Sequence, residues 1–506
     1  MRLAVVGLLA SSALGATIVT PTGYTLVGTH GASSLYTVDG AQYATAPPLL
    51  LDLHGSRFEQ GEAYGALQGA AAKANYDFLI TMLLKSTSVI GYAERSALEA
   101  LLDWQWSAYL SKQVPPEYMT EFDGFAAGCK TALGPLHGSW CEKAMGRLQV
   151  LANFPGDVKD MEYVLADEVL HDGESGGNLY APGAARVEAL LAGTPTPTLR
   201  SFLREGLTAA RAQCSMIGAW GSRTEGGELF TGRNLDWNHD SGIDAHKIIM
   251  VAHPPEAGRH AHATLGFAGL YGSLAGMSAA GLTTHEANLE SKKDSFRGFP
   301  WLIRLRYVME TAADLAGALA AWGATNNTVG FNHMVGSAAD RAAVVLETHA
   351  GFAAPFHADD AGENASAIVD PVSGATIRGA TLPEAVWRTN HGFAPQTVAN
   401  YMWNGTHAYN DSNTRYHLIH GALAAYEAAG TKVGPQQIVD ATSLVGQKGP
   451  DYATCAAPYK GGSNVLSVAF APAAKTLYAA WEDGANSTWT PAACSPYVAL
   501  DFSRWF

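Results

Sequence analysis

The chain has 506 residues, 47% of them hydrophobic and 15% charged, a balance that suits a large folded core and argues against disorder over most of its length. Its 46 acidic and 32 basic residues give a formal charge of -14, and no Lys/Arg cluster stands out that would neutralise a phosphate backbone. That composition argues against a nucleic-acid partner.

The chain begins with the features of a secretory signal. Met1-Arg2-Leu3 leads into the apolar Ala4 to Ala10, and Ala13, Gly15 and Ala16 offer small residues for cleavage, so residues 1–16 are read as a signal peptide. No later run is long and apolar enough to span a bilayer, so no transmembrane anchor is expected. The destination expected is secretion or a lysosome- or vacuole-like compartment. Asn-x-Ser/Thr sequons at Asn326, Asn364, Asn404, Asn410 and Asn486 suit that route in a eukaryote and make these asparagines glycosylation candidates.

Residues 17–48 mix Thr, Gly and Tyr and read as short strands and loops, and Leu49 to His54 forms a compact strand stopped by Gly55. A helical run follows from Ser56 to about Leu84, and Tyr92 to Ala210 is mainly helical, with a start at Pro115-Pro116 and a Gly/Pro break from Gly173 to Pro197. Gly173-Glu174-Ser175-Gly176-Gly177 fits G-x-S-x-G. Leu170-His171-Asp172 before it is no buried strand, so it reads as a polar loop and not as a nucleophile elbow.

Gln213 to Trp237 contains two short apolar runs around Gly226-Gly227, the pattern of a β-hairpin. Strand-like segments continue at Lys247–His253, His260–Phe267 and Gly276–Ala287. Helices are expected over 300–310 and 311–322, the second with Thr311 as its N-cap and Asp314 in its first turn. Strands return at 332–336 and 341–348, residues 353–380 read as loop, helices follow at 412–427 and 435–443, and strands close the chain at 465–470 and 477–481. That alternation is an α+β pattern, compatible with two antiparallel sheets packed face to face and helices outside both.

There are five cysteines, and an odd count in a secreted protein leaves one thiol to explain. Cys129 and Cys141 are close in sequence, and Cys455 and Cys494 flank the last strand-like runs, so two local disulfides are the simplest of the three pairings four cysteines allow. Cys214 is then left over, at the start of the hairpin, with Arg233 and Asp236 at the end of the opposing run. A thiolate beside a fixed cation is a nucleophile, whereas a cysteine in an apolar core is not. The 17 histidines come nearest to a cluster at His253, His260, His262 and His285, but no H-E-x-x-H or paired Cys-x-x-Cys spacing exists. No glycine-rich phosphate loop is present either, so neither a metal nor a nucleotide cofactor is expected.

A cysteine opening a strand, followed about twenty residues on by Gly232-Arg233-Asn234-Leu235-Asp236-Trp237, resembles the N-terminal-nucleophile (Ntn) hydrolases. The likeness is to their acyl-CoA:6-aminopenicillanate acyltransferase, choloylglycine hydrolase and acid ceramidase group. Gly55-Ser56 with Glu59-Gln60-Gly61 also resembles a segment near the start of acyltransferase-type precursors. The resemblance implies a four-layer αββα sandwich over 214–506, preceded by a largely helical propeptide over 17–213. It implies autocatalytic cleavage between Gln213 and Cys214, with the two fragments remaining associated. By residue match, Cys214 is the nucleophile, Arg233 stabilises its thiolate and Asp236 holds its α-amine. Asn288 takes the place of an oxyanion asparagine, Asn390 matches a Thr-Asn segment and Arg415 matches a later Ser-x-x-Arg. The activity implied is hydrolysis or transfer of an acyl group from a small linear amide. The large N-terminal part also resembles acid ceramidase and, more distantly, phospholipase B-like proteins, so a lipid acyl substrate is the second reading. An inactive glycoprotein that keeps the fold is the third.

Overall fold

The computed structural model describes residues 15–41, 43, 45–85, 92–153, 213–237, 242–403, 411–448, 452, 455, 463–484 and 489–506. The G-x-S-x-G segment, most of the expected signal peptide, and the sequons at Asn404, Asn410 and Asn486 lie outside these residues, while Asn326 and Asn364 are both exposed.

Among the described residues the strands, in chain order, are β1 (Ile18–Val19), β2 (Gly23–His30), β3 (Ser33–Asp39), β4 (Leu49–Leu53), β5 (Gln213–Ala219), β6 (Phe230–Trp237), β7 (Lys247–Ala252), β8 (His262–Phe267), β9 (Ala275–Ser278) and β10 (Leu282–Asn288). They continue with β11 (Phe331–Ser337), β12 (Ala342–His349), β13 (Phe352–Phe356), β14 (Ala367–Val369), β15 (Thr376–Arg378), β16 (Ala385–Arg388), β17 (Ser463–Ala471), β18 (Thr476–Trp481) and β19 (Tyr497–Asp501). The helices are α1 (Arg57–Lys85), α2 (Tyr92–Ala108), α3 (Pro116–Leu133), α4 (Gly138–Ala152), α5 (Trp301–Thr311), α6 (Leu315–Gly323), α7 (Ala361–Ala365), α8 (Pro395–Asn400), α9 (Asn413–Ala428) and α10 (Pro435–Leu444).

Two large sheets carry the fold. A seven-stranded sheet runs β1-β19-β18-β17-β6-β5-β16, and a ten-stranded sheet runs β13-β12-β11-β10-β9-β8-β7-β4-β3-β2. They face each other through β5, β6, β10 and β12, with α9 and α10 packed outside the first sheet and α1, α5 and α6 outside the second. The order helix, sheet, sheet, helix is the αββα sandwich. Strands such as β7 and β17 are buried at every position and mostly apolar, as a layer covered on both sides favours, with Lys247, Ser463, Asn464 and Ser467 as buried polar exceptions.

The described part of the segment before Cys214 carries four helices and also joins the sandwich. β1 pairs in parallel with β19, and β4 pairs in parallel with β7, so the N-terminal part supplies strands to both sheets. Its helices cover the outer face near β4. There α1 and α3 touch backbone to backbone: a Cβ on Gly61 would lie 1.9 Å from the Glu121 carbonyl oxygen, and one on Gly128 would lie 1.9 Å from that of Glu62. Only glycine fits such a contact, which gives Gly61 of the Glu59-Gln60-Gly61 segment a packing role.

Other expectations are adjusted locally. Asp314, not Thr311, caps α6, accepting the Gly317 N–H at 2.7 Å, because α5 already runs through Thr311. Residues 353–380, read as loop, hold β13, α7 and the β14–β15 ribbon. Cys129 bonds to Cys141 and Cys455 to Cys494, with Cα separations of 5.7 and 5.8 Å, and Cys214 is the free thiol.

Candidate active site

The β5–β6 hairpin sets the site. Cys214 faces Leu235 across the ladder, Met216 faces Arg233, and Gln213 faces Asp236. Because side chains alternate along a strand, Cys214 and Arg233 share one face and Asp236 belongs to the other. Arg233 accordingly reaches the thiol, with Nη2 at 3.7 Å from Sγ. Asp236 lies on the side of Asn234, which donates to the Thr442 carbonyl of α10. Its Oδ1 accepts from the Gln447 N–H at 3.1 Å and the Asn464 side chain at 2.7 Å, while Oδ2 is buried and has no hydrogen-bond partner among the described residues. The three groups expected in one small space are thus divided, the thiol and the guanidinium on one face of the hairpin and the carboxylate on the other, across from Gln213.

Arg233 does not offer an uncompensated cation. It is fully buried and paired with the carboxylate of Glu286 in β10, and its Nε donates to the Glu286 carbonyl at 3.3 Å. Burial pushes the Cys214 thiol up to about 12; Glu286 and Asp236 push the same way, and Arg233 and the Asn288 backbone N–H pull against them. In the uncut chain the group is therefore a neutral thiol at physiological pH. Burial likewise raises the Asp236 carboxyl to about 6, against the pull of Arg415, the Gln447 N–H and Asn464.

A second set of groups grips the Cys214 backbone. β16 pairs with β5 so that Arg388 faces Met216, and continuing this register brings Asn390 beside Cys214. Asn390 Oδ1 accepts the Cys214 N–H at 2.9 Å, and its Nδ2 donates to the Asn288 carbonyl at 2.7 Å. Arg415, in the first turn of α9 and fully buried, donates through Nη1 to the Cys214 carbonyl and through Nη2 to Asn390 Oδ1 at 2.7 Å. Asp411 fixes that guanidinium at 2.7 Å. The Cys214 carbonyl and the Asn390 side chain are thus held by a planar fork braced from behind, a geometry a lysine would not reproduce.

Several residues of this arrangement were given no role by the sequence, although Ser412 is the serine of the Ser-x-x-Arg run. Ser412 Oγ accepts the Asn390 N–H at 2.8 Å and contacts His391 Nδ1 at 2.7 Å. Tyr401 donates to the Asn390 carbonyl at 2.9 Å. Arg388 is clamped between Glu363 and Glu347, and Glu347 also accepts the Phe393 and Ala394 N–H groups, so the segment carrying Asn390 is pinned at both ends. Glu286 precedes Asn288 by two residues, but nothing in the sequence pairs it with Arg233. Of the histidines, His262 packs with Arg306 and Glu310, and His285 with Thr231, both away from the thiol.

The site therefore assembles a free cysteine at a strand start, an amide acceptor on its nitrogen, a guanidinium on its carbonyl, and a carboxylate with one open oxygen opposite the preceding residue. The sequence profile of the acyl-coenzyme A:6-aminopenicillanic acid acyl-transferase family matches residues 222–486, just over half of the chain. The match takes in Arg233, Asp236, Asn288, Asn390 and Arg415 and begins shortly after Cys214. No curated protein matches the chain significantly. Among solved structures it is similar to a Caenorhabditis elegans N-acylethanolamine-hydrolyzing acid amidase ortholog, at 16% identity over 51% of this chain and 93% of that one, with a TM-score of 0.34. It is similar to a mutant conjugated bile acid hydrolase from Clostridium perfringens at 11% identity, over 57% of this chain and 93% of that one, with a TM-score of 0.35. For penicillin V acylase from Agrobacterium tumefaciens the identity is 15%, the coverage 55% and 85%, and the TM-score 0.33.

Proposed function

Because the chain belongs to the acyl-coenzyme A:6-aminopenicillanic acid acyl-transferase family of N-terminal-nucleophile enzymes, we propose that it cuts itself between Gln213 and Cys214 and then acts through the freed cysteine on small acyl amides. The observation that carries this reading is the bracketing of the Cys214 backbone by Asn390 and Arg415 at a buried strand start.

In the first step the thiol adds to the Gln213 carbonyl carbon, the Gln213–Cys214 C–N bond breaks, and the nitrogen keeps the proton that leaves sulfur. Water then hydrolyses the thioester, giving the Gln213 carboxylate and the free thiol. The new α-amine, ordinarily near pKa 7.7–8, is basic where the former amide was not. Asn390 Oδ1 and the open Oδ2 of Asp236 are the acceptors offered to it. In turnover this amine takes the thiol proton, sulfur attacks the substrate carbonyl, and the leaving amine recovers the proton as the thioester forms. The Asn288 backbone N–H, which faces the sulfur, and the second hydrogen of Asn390 Nδ2 are the donors assigned to the oxyanion. Water, or an acceptor amine, then removes the acyl group.

The buried thiol is neutral when it attacks in the cut and hands its proton to the departing nitrogen, whereas in turnover the freed α-amine takes that proton. Strand pairing of β4 with β7 and β1 with β19 supports fragments that stay together after the cut. Two disulfides and the exposed Asn326 and Asn364 support a secretory route. No described helix is long and apolar enough to cross a membrane. The test is to express the wild-type, Cys214→Ser and Cys214→Ala chains and follow processing on reducing gels. The alanine chain should stay whole and the serine chain should be cut slowly or not at all; normal processing of Cys214→Ala refutes the mechanism.

A further inference from the structure

We propose that Asp52, His54 and His253 form a binding site for one Zn²⁺ ion, remote from Cys214. His54 Nε2 lies 2.9 Å from Asp52 Oδ2, and His253 Nε2 lies 2.9 Å from Asp52 Oδ1, so both imidazoles aim the same nitrogen at one carboxylate. The rings stack, with centroids 4.1 Å apart and planes 12° from parallel. The three ligand atoms all lie within 4.8 Å of one another. Zn–N and Zn–O bonds of roughly 2.0–2.2 Å in a tetrahedron place ligand atoms about 3.3 Å apart. The two Nε2–carboxylate distances of 2.9 Å are a few tenths of an ångström short of that, and the widest separation in the trio, no more than 4.8 Å, closes by side-chain rotation around the ion.

The backbone under the trio is already set. β4 and β7 run in parallel with Leu53 beside Ala252, and the His253 N–H donates to the Leu53 carbonyl at 3.2 Å. Buried Gln60 donates to the Gly55 and His253 carbonyls at 3.0 and 2.6 Å, tying together the two turns that carry the histidines. Ser33 Oγ accepts the His54 N–H at 2.9 Å. Asp52 is mostly buried, while the side chains of His54 and His253 are 40% and 25% exposed, so an ion has an entry path and a fourth position open to water. Two imidazoles with one carboxylate suit Zn²⁺, whereas Ca²⁺ and Mg²⁺ favour all-oxygen shells.

The site is not part of the cysteine centre. Ala252 pairs with His262 and His262 with Ser278, so the trio sits at the end of the ten-stranded sheet where β10 begins at Leu282; Asn288, beside Cys214, is at the other end. Asp52 and His54 precede Cys214 and His253 follows it. Resting on the cleavage proposed above, the ion would bridge the two fragments.

The experiment titrates ZnCl₂ into untagged, chelator-stripped protein by calorimetry, using the wild type and the uncut Cys214→Ala chain. Co²⁺ absorption serves as a second readout of coordination. About one equivalent should bind in both, so the site stands whether or not the chain is cut. His54→Gln and His253→Gln, each checked for wild-type circular dichroism, should weaken binding by at least about tenfold, the lower bound known for loss of even an outer-shell partner. Absence of saturable binding, or binding unchanged in both variants, overturns the proposal.

Discussion

The sharpest energetic test lies in the buried ion network between the segments before and after Cys214. Glu310 of α5 accepts from Arg57 Nη2 at 2.7 Å and Arg306 Nε at 2.8 Å, and Glu121 of α3 accepts from the same two arginines. All four side chains are buried. Burial alone would raise the Glu310 carboxyl, but Arg306, His262 and Arg57 reverse this and hold it at about 2, against an ordinary value of 4.5. At about 1.4 kcal/mol for each tenfold change in proton affinity, the ionised carboxylate contributes about 3 kcal/mol to stability. That agrees with the roughly 3–5 kcal/mol lost when one partner of a buried pair is removed. Since the folded-state pKa is depressed, the contribution is fully present above the ordinary glutamate range and is lost as pH falls from about 4.5 through 2. Glu310→Gln, made in the uncut Cys214→Ala chain so that unfolding involves one molecule, should lower stability by about 3 kcal/mol at neutral pH. By pH 3 the difference should shrink to about half of that or less. Denaturant unfolding with disulfides intact measures both. A neutral-pH loss under about 0.5 kcal/mol, the range of ordinary surface substitutions, or a loss that does not change with pH, would refute the reasoning.

Gly61→Ala should drive α1 from α3 and cost about 1–3 kcal/mol by overpacking, whereas Gly138→Ala, whose nearest neighbour would be 4.0 Å away, should stay within about 0.5 kcal/mol; thermal unfolding compares them. Glu286→Gln removes a charge that raises the Cys214 thiol and leaves Arg233 beside it, so the pH profile of iodoacetamide labelling at Cys214 should move to lower pH. An unmoved profile contradicts the pairing. Arg415→Lys and Asn390→Ala should each slow the cut by about 10²-fold, the scale of misplacing reacting groups by about 1 Å, because these residues fix the Cys214 backbone. Pulse-chase appearance of the fragments measures it, and wild-type rates in chains shown to be folded would remove both residues from the site.

Much of this was legible because the signals were local. The hairpin around Gly226-Gly227 follows from two apolar runs and a turn, and the disulfides follow from one pair of cysteines close in sequence and another flanking the last strands. The Gly-Arg-Asn-Leu-Asp-Trp run marked β6, and the family profile matches through it. Non-local effects were hidden. Nothing adjacent to Arg233 reveals that Glu286 neutralises it, because that pair spans 53 residues and two sheets. Strand alternation separates Asp236 from the thiol, although three residues from Arg233 it looked close. The 17–213 segment read as helical because its long helices dominate the pattern, yet its short strands decide that it is part of both sheets. The histidine search along 253–285 missed His54 and Asp52, which only the parallel pairing of β4 with β7 brings to His253.

The central claim is that the α-nitrogen and sulfur of one residue, Cys214, carry the chemistry. Purified protein, incubated with a simple acyl amide, acid-quenched and measured by intact mass after reduction of its disulfides with a phosphine, tests it most directly. A fragment whose sequence starts at Cys214, gaining the mass of one acyl group on that residue, is the predicted result. An uncut chain, or an acyl group carried by any other residue, would contradict it.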